Sequence, residues 1–317
     1  MATAGQNDPS IVIEQVVNRT NCLTEGPHWD PKTQRLIFVD IWANKICSYD
    51  PANKKVLHAE LAKPVGVAVP VENSPNLFLA AHGTDLVLVT WDCTENVKNP
   101  PIKILESVEK GRKGNRFNDG KCDPSGRFWA GTMCEIEGNF EPNQGSLYSL
   151  DSNLDLKSHF SSVGISNGLA WKDDKFYYID SLTFEVAGFD YDSKSGTIAN
   201  RKVVFDFKEN NISGFPDGMT IDANGNLWVA CWDGSRILQI DPKSGKLLQT
   251  IYIPAKRVTS VAFGGPALDT LFVTTAGYGF NIPEEKTPAD DPKGGSIFAV
   301  KGLGVTGLPA NCFKMNV

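Results

Sequence analysis

Apolar residues in this chain gather in short runs bounded by Gly, Asp, Asn and Pro, and they almost nowhere repeat with the spacing of a helix face. Six runs have the same character: Arg35-Leu-Ile-Phe-Val-Asp40, Asn76-Leu-Phe-Leu-Ala-Ala81, Arg127-Phe-Trp-Ala-Gly-Thr132, Lys175-Phe-Tyr-Tyr-Ile-Asp180, Asn226-Leu-Trp-Val-Ala-Cys231 and Thr270-Leu-Phe-Val-Thr-Thr275. Their starts step by 41, 51, 48, 51 and 44 residues. β-branched and aromatic residues returning at a period of about 40–50 mark the blades of a propeller. Most runs precede a second strand that ends in an acidic turn, as in Ile46-Cys-Ser-Tyr-Asp50 and Ile237-Leu-Gln-Ile-Asp241. Asp123-Pro-Ser-Gly126 and Asp222-Ala-Asn-Gly225 have hairpin chemistry, with an Asx side chain for the local backbone and Gly for positive φ.

The pattern predicts an all-β chain forming one six-bladed β-propeller of four-stranded antiparallel blades, over residues 10–307. Ser10-Ile-Val-Ile-Glu-Gln-Val-Val17 has no blade of its own, so it is expected to complete the last blade beside Ser296-Ile-Phe-Ala-Val300. Residues 1–9 and 308–317 read as terminal extensions, and 281–295 as a polar loop.

Composition narrows the function. A net charge of −6 disfavours nucleic acid and anionic membranes, which need basic patches. No apolar run reaches the roughly 18 residues of a membrane span. The first residues carry neither a basic nor an apolar leader segment, and seven cysteines are scattered without CxxC spacing. The expectation is a cytoplasmic monomer with reduced thiols, acting on a small molecule. His28, His58, His82 and His159 form no zinc-binding pattern.

A propeller points one repeat position of every innermost strand at its axis. That position lies just before a Gly: Glu25-Gly, Val65-Gly, Asp119-Gly, Asn167-Gly and Asp217-Gly, with Ser260-Val in the last unit. Asn118 adjoins Asp119, so either could face the channel. Singly, each Asx-Gly pair is more often a turn, but recurrence at the blade period favours a ring. Carboxylates and amide oxygens without sulfur or imidazole suit a hard divalent cation, which would also relieve the repulsion among them.

These residues bring the chain to a known family. It resembles the group that contains regucalcin, the gluconolactonases and the luciferin-regenerating enzymes, from about Glu25 to Gly307. The shared motifs include Glu25-Gly-Pro-His-Trp29, Asn115-Arg-Phe-Asn-Asp-Gly-Lys121, Ala130-Gly-Thr-Met133, Ile165-Ser-Asn-Gly-Leu-Ala-Trp171, Pro216-Asp-Gly-Met219 and Thr259-Ser-Val-Ala-Phe-Gly-Gly265. The resemblance implies a six-bladed propeller with one divalent metal ion held by Glu25, Asn167 and Asp217. Ca²⁺ leads, with Mg²⁺, Mn²⁺ or Zn²⁺ as alternatives. It assigns Arg116, Asn118 and the neighbouring Glu135 to substrate, and makes Asp217 the catalytic proton donor and acceptor. The implied activity is hydrolysis of a lactone or related ester. The alternatives are a luciferin-regenerating-type enzyme for an aromatic heterocycle and a non-enzymatic calcium-binding regulator. One departure stands out: regucalcin has a sugar-contacting Glu three residues after the Gly-Thr-Met methionine, where this chain has Ile136. An apolar Ile136 favours a flatter, less hydroxylated substrate.

Overall fold

The computed structural model describes residues 6–18, 23–280 and 285–316. Residues 1–5 of the expected N-terminal extension, Cys22, and 281–284 of the expected polar loop lie outside them. The described chain forms six sheets, each built on four antiparallel strands, with a short fifth strand in two of them, Val97–Lys98, which pairs parallel, and Asn139–Glu141. The only helical element among the described residues is a 3₁₀ turn, Ser181–Thr183. Each innermost strand lies against the innermost strands of both neighbours, and the first lies against the last, so the sheets close into a ring. This is the six-bladed β-propeller.

Closure is made by the N-terminal strand. Val12–Val17 pairs antiparallel with Ile297–Lys301, from Val12 opposite Lys301 to Val17 opposite Ile297. The outermost strand of the last blade thus comes from the start of the chain, and the ring is fastened by hydrogen bonds between its two ends. Residues 308–316 also pack against the ring: Phe313 is fully buried, its N–H donates to Pro70 O and its carbonyl accepts from Glu72 N–H, while Lys314 N–H donates to Gly126 O.

The apolar core is divided into six clusters, one between each pair of adjacent blades. Alternation along each strand explains the division, because a blade buries both faces against its neighbours. Trp29 stacks on Phe272 with centroids 5.4 Å apart where the last blade meets the first. Trp129 lies 5.3 Å from Phe176 between the third and fourth. The Asx-Gly turns behave as hairpin chemistry predicts. Asp123 Oδ1 accepts from the Ser125 and Arg127 N–H groups, and Oδ2 accepts from Trp129 Nε1 and Tyr191 Oη. Asp222 repeats the arrangement with Asn226 N–H and Trp228 Nε1. The described cysteines are all free thiols.

Candidate functional site

Every innermost strand carries a register shift at the repeat position singled out above. The shifts fall between Glu25 and His28, Val65 and Val67, Phe117 and Gly120, Asn167 and Leu169, Pro216 and Met219, and Val258 and Ser260. The Asx-Gly pairs are therefore bulges within strands, not turns. A bulge bends its strand and re-aims side chains, and in four blades a residue at the bulge, Glu25, Asn118, Asn167 or Asp217, lines the central cavity.

The glycines make room for this. A Cβ on Gly66 would lie 2.5 Å from the Asn118 carbonyl oxygen, one on Gly168 2.7 Å from the Asp217 carbonyl oxygen, and one on Gly218 2.0 Å from Ser260 Oγ. Innermost strands can approach so closely only without side chains at those points.

A cavity of about 250 Å³ opens at the axis. Glu25, Asn167 and Asp217 line it, as do Arg116, Asn118 and Glu135, so all six candidate residues come to one place. Of the adjacent pair, Asn118 lines the cavity and Asp119 does not; the Asp119 carboxylate accepts the Gly120 N–H at 2.7 Å. Lys121 donates to Met219 O at 2.6 Å, and Asp119 lies in its field.

A chain of hydrogen bonds fixes the amides. Arg116 Nη1 donates to Asn118 Oδ1 at 2.7 Å. Asn118 Nδ2 donates to Asn167 Oδ1 at 3.0 Å and to Ser166 O at 2.9 Å. Asn167 Nδ2 donates to Ser181 Oγ at 2.8 Å, and the Ser181 hydroxyl donates to Pro216 O at 2.6 Å. Ser181 is held by the 3₁₀ turn, whose N-cap, Asp180, also accepts the Gly164 and Ile165 N–H groups. Both Asn118 N–H groups are thus committed, and Asn167 Oδ1 keeps a lone pair beyond the one Asn118 uses. Arg116 Nε is buried without a hydrogen-bond partner.

Electrostatics set the floor apart. Burial, then the charges of Asp217 and Asp119, push the Glu25 carboxyl well above the ordinary range. Burial and Asp119 do the same to Asp217. Burial lowers the Arg116 guanidinium, and the Glu135 carboxylate 3.6 Å from its Nη2 works the other way. Two carboxylates raised first by burial and then by neighbouring acidic charge, beside a fixed amide oxygen, form an all-oxygen donor set that fits a hard divalent cation. Among the described residues no group of three or more His, Cys, Asp and Glu side chains converges to hold a metal. A cation here would depend on the Asn167 oxygen to supplement Glu25 and Asp217.

Ile136 does not line the cavity, but Glu135 does. A Cβ on Gly114 would fall 2.7 Å from Ile136 Cγ1, so the isoleucine lies over that glycine. Alternation along Phe128–Ile136 sends neighbours to opposite faces, and the wall keeps a carboxylate. The substrate argument built on Ile136 therefore loses its basis. His28 is buried outside the cavity lining, with Nε2 unpartnered, and burial pulls its pKa down to about 4.

Residues 23–277 match the family described as the SMP-30/Gluconolactonase/LRE-like region. The chain belongs to that family. Regucalcin of Xenopus laevis is 42% identical, over 96% of this chain and 99% of that protein. Human regucalcin is 42% identical over 94% and 97%. Among solved structures, a luciferin-regenerating enzyme is 38% identical and superposes with a TM-score of 0.89, covering 96% of this chain and 100% of that one. A calcium-binding regucalcin of Agrobacterium tumefaciens, at 24% identity and a TM-score of 0.81, shares the fold.

Part of the lining carries no periodic signal. Trp42, Phe140, Phe215, Phe280, Arg257 and Glu285 also face the cavity. Trp232 joins them. No helix among the described residues is long and apolar enough to cross a membrane.

Proposed function

We propose that the cavity hydrolyses a lactone or related ester with one divalent cation, Ca²⁺ before Mg²⁺, Mn²⁺ or Zn²⁺, held by Glu25, Asn167 and Asp217. The observation that supports this most is the burial of Glu25 and Asp217 together in a cavity whose nearer guanidinium, Arg116, is turned to Asn118 and Glu135. Carboxylates so placed repel each other until something positive sits between them. A bound cation would neutralise them and supply Lewis-acid polarisation of a carbonyl.

The chain's own residues do the rest. Asp217 would help to hold the cation, and its carboxylate takes the proton of the attacking water and returns it to the leaving alkoxide. Arg116 lines the cavity beside Asn118, and its positive charge stabilises the oxyanion as the ring carbonyl becomes tetrahedral. Asn118 has no free N–H and acts through Arg116, holding it by the 2.7 Å bond to Oδ1. The protein works as a cytoplasmic monomer on a small molecule, with neither nucleic acid nor membrane as partner. A reading as an enzyme for an aromatic heterocycle draws support from the aromatic rim, and a purely calcium-binding role remains the non-enzymatic alternative.

The test is a screen of lactones with chelated protein resupplied separately with Ca²⁺, Mg²⁺, Mn²⁺ or Zn²⁺. Turnover should return with at least one ion, and Asp217→Asn should lower kcat by about 10²–10⁴-fold while circular dichroism is unchanged. Undiminished hydrolysis by Asp217→Asn, or by the chelated protein, refutes the proposal.

A further inference from the structure

The outer half of the cavity differs in kind from its floor. Trp42, Phe140, Phe215, Trp232 and Phe280 line it, and none occupies the repeat position that builds the ring. Phe140 sits on the short strand Asn139–Glu141 and is 46% exposed, so the fold itself does not bury it. Two guanidiniums lie over indoles, Arg116 5.4 Å from the Trp42 ring centre and Arg257 5.2 Å from that of Trp232.

Arg257 is already closed. Its Nη2 donates to Glu285 Oε1 at 2.5 Å, and its Nη1 to Glu285 Oε2 at 3.2 Å and Gly277 O at 3.0 Å. Its other face rests on Tyr278, 4.2 Å from the ring centre. Glu285 is held in turn by the Gly279 N–H. A two-pronged carboxylate on an arginine fork is the geometry an acidic ligand would otherwise adopt. Charge points the same way. Among the described lining residues the carboxylates of Glu25, Glu135, Asp217 and Glu285 face the guanidiniums of Arg116 and Arg257. A doubly charged cation on the floor brings that set to neutrality, and an anionic ligand would unbalance it.

We infer that this site takes an uncharged lactone or ester with a flat, aromatic-sized apolar body, and that Glu285 enforces the choice by occupying the Arg257 fork. The inference rests on the hydrolytic reading for the reacting group, but its recognition element is separate. The ester group meets the polar floor, and the body lies between the aromatic side chains. A polyol there would leave hydroxyls facing rings, without the hydrogen bonds that water gives them.

The test compares kcat/KM for dihydrocoumarin and gluconolactone, and binding of coumarin and a ring-carboxylated coumarin by calorimetry, in the full-length protein. Dihydrocoumarin should lead by about 10–100-fold, and Phe215→Ser should shrink the ratio by about 10-fold. Coumarin should bind more tightly than its carboxylated form. Glu285→Gln should shift that preference toward the carboxylate by about 10-fold, and adding Arg257→Met should cancel the shift. A preference for gluconolactone, or a binding ratio in Glu285→Gln within about twofold of the parent, overturns the inference and leaves hydrolysis standing. If no lactone turns over while the coumarin pattern holds, the hydrolytic reading falls and the recognition rule survives.

Discussion

Gly218→Ala tests whether the glycine beside each axial residue is there for space. Gly218 has an ordinary backbone conformation, so alanine meets no φ penalty, and the effect is steric alone. The new methyl would lie 2.0 Å from Ser260 Oγ, 2.4 Å from its Cβ and 2.7 Å from its Cα. Carbon contacts are comfortable from about 3.5 Å, and the Cα cannot swing aside, so the fifth and sixth innermost strands must separate. Overpacking of this sort costs roughly 1–3 kcal/mol, and the backbone contact places it near the upper end. Asp217 precedes the glycine and would move with the strand. A displacement of about 1 Å at a reacting group can lower turnover by about 10²-fold. Ser260→Gly removes the two nearest atoms but leaves the Cα, so the double variant should recover part of the stability. Urea unfolding of the four proteins should then give a coupling of about 1 kcal/mol or more. Gly111→Ala is the contrast: φ is +83° and nothing lies within 4 Å, so any loss there is conformational. A Gly218→Ala protein within about 0.5 kcal/mol of the parent, or strict additivity with Ser260→Gly, would refute the steric account.

Two further outcomes are expected. His28 is buried with its pKa pulled from 6.5 to about 4, so between those values the unfolded chain binds a proton that the folded one refuses. Its contribution is therefore complete above pH 6.5 and lost as the pH falls to 4, by about 3 kcal/mol; in urea titrations at several pH values His28→Leu should flatten that slope, and an unchanged slope would contradict the reasoning. Cation at about 100 times its Kd should stabilise the fold by about 2.7 kcal/mol. With an unfolding entropy of about 2.1 cal/mol/K per residue, that raises the Tm of this 317-residue chain by about 4 °C. Asp217→Asn should abolish the rise while increasing the cation-free Tm, and a cation-dependent rise that persists in the variant would remove Asp217 from the ligand set.

The blades could be read from the chain because their signals are local. Alternating apolar residues and Asx-Gly turns each act within a few residues, their recurrence counts the blades, and Asp123 and Asp222 perform in the structure as their turns suggest. The ring could also be read, since one position recurs next to Gly. Its cause could not: a bulge is a property of two paired strands, and nothing in Asn167-Gly168 alone distinguishes it from a turn. Counting residues after Met133 failed for a related reason. It ignored which face of the strand each residue takes, so it put Ile136 where the structure has Glu135.

The rim was hidden for a different reason. Trp42 and Phe280 come from separate connections and Phe140 from a short extra strand, with no shared register, and Arg257 and Glu285 are joined by a contact across 28 residues. The floor and the rim are thus under different constraints. Floor residues sit at bulges where innermost strands touch, so changing Asn167 or Asp217 also disturbs the closest packing in the ring. The same repeat position holds Val65 in the second blade, fully buried in the cluster shared with the first, and Ser260 in the sixth. The ring therefore closes without carboxylates, and those it carries oppose its stability. Rim side chains, by contrast, can be exchanged with little effect on ring closure. Substrate choice on this scaffold should therefore shift through positions such as Phe140, Phe215 and Glu285, with the oxygen-lined floor held fixed.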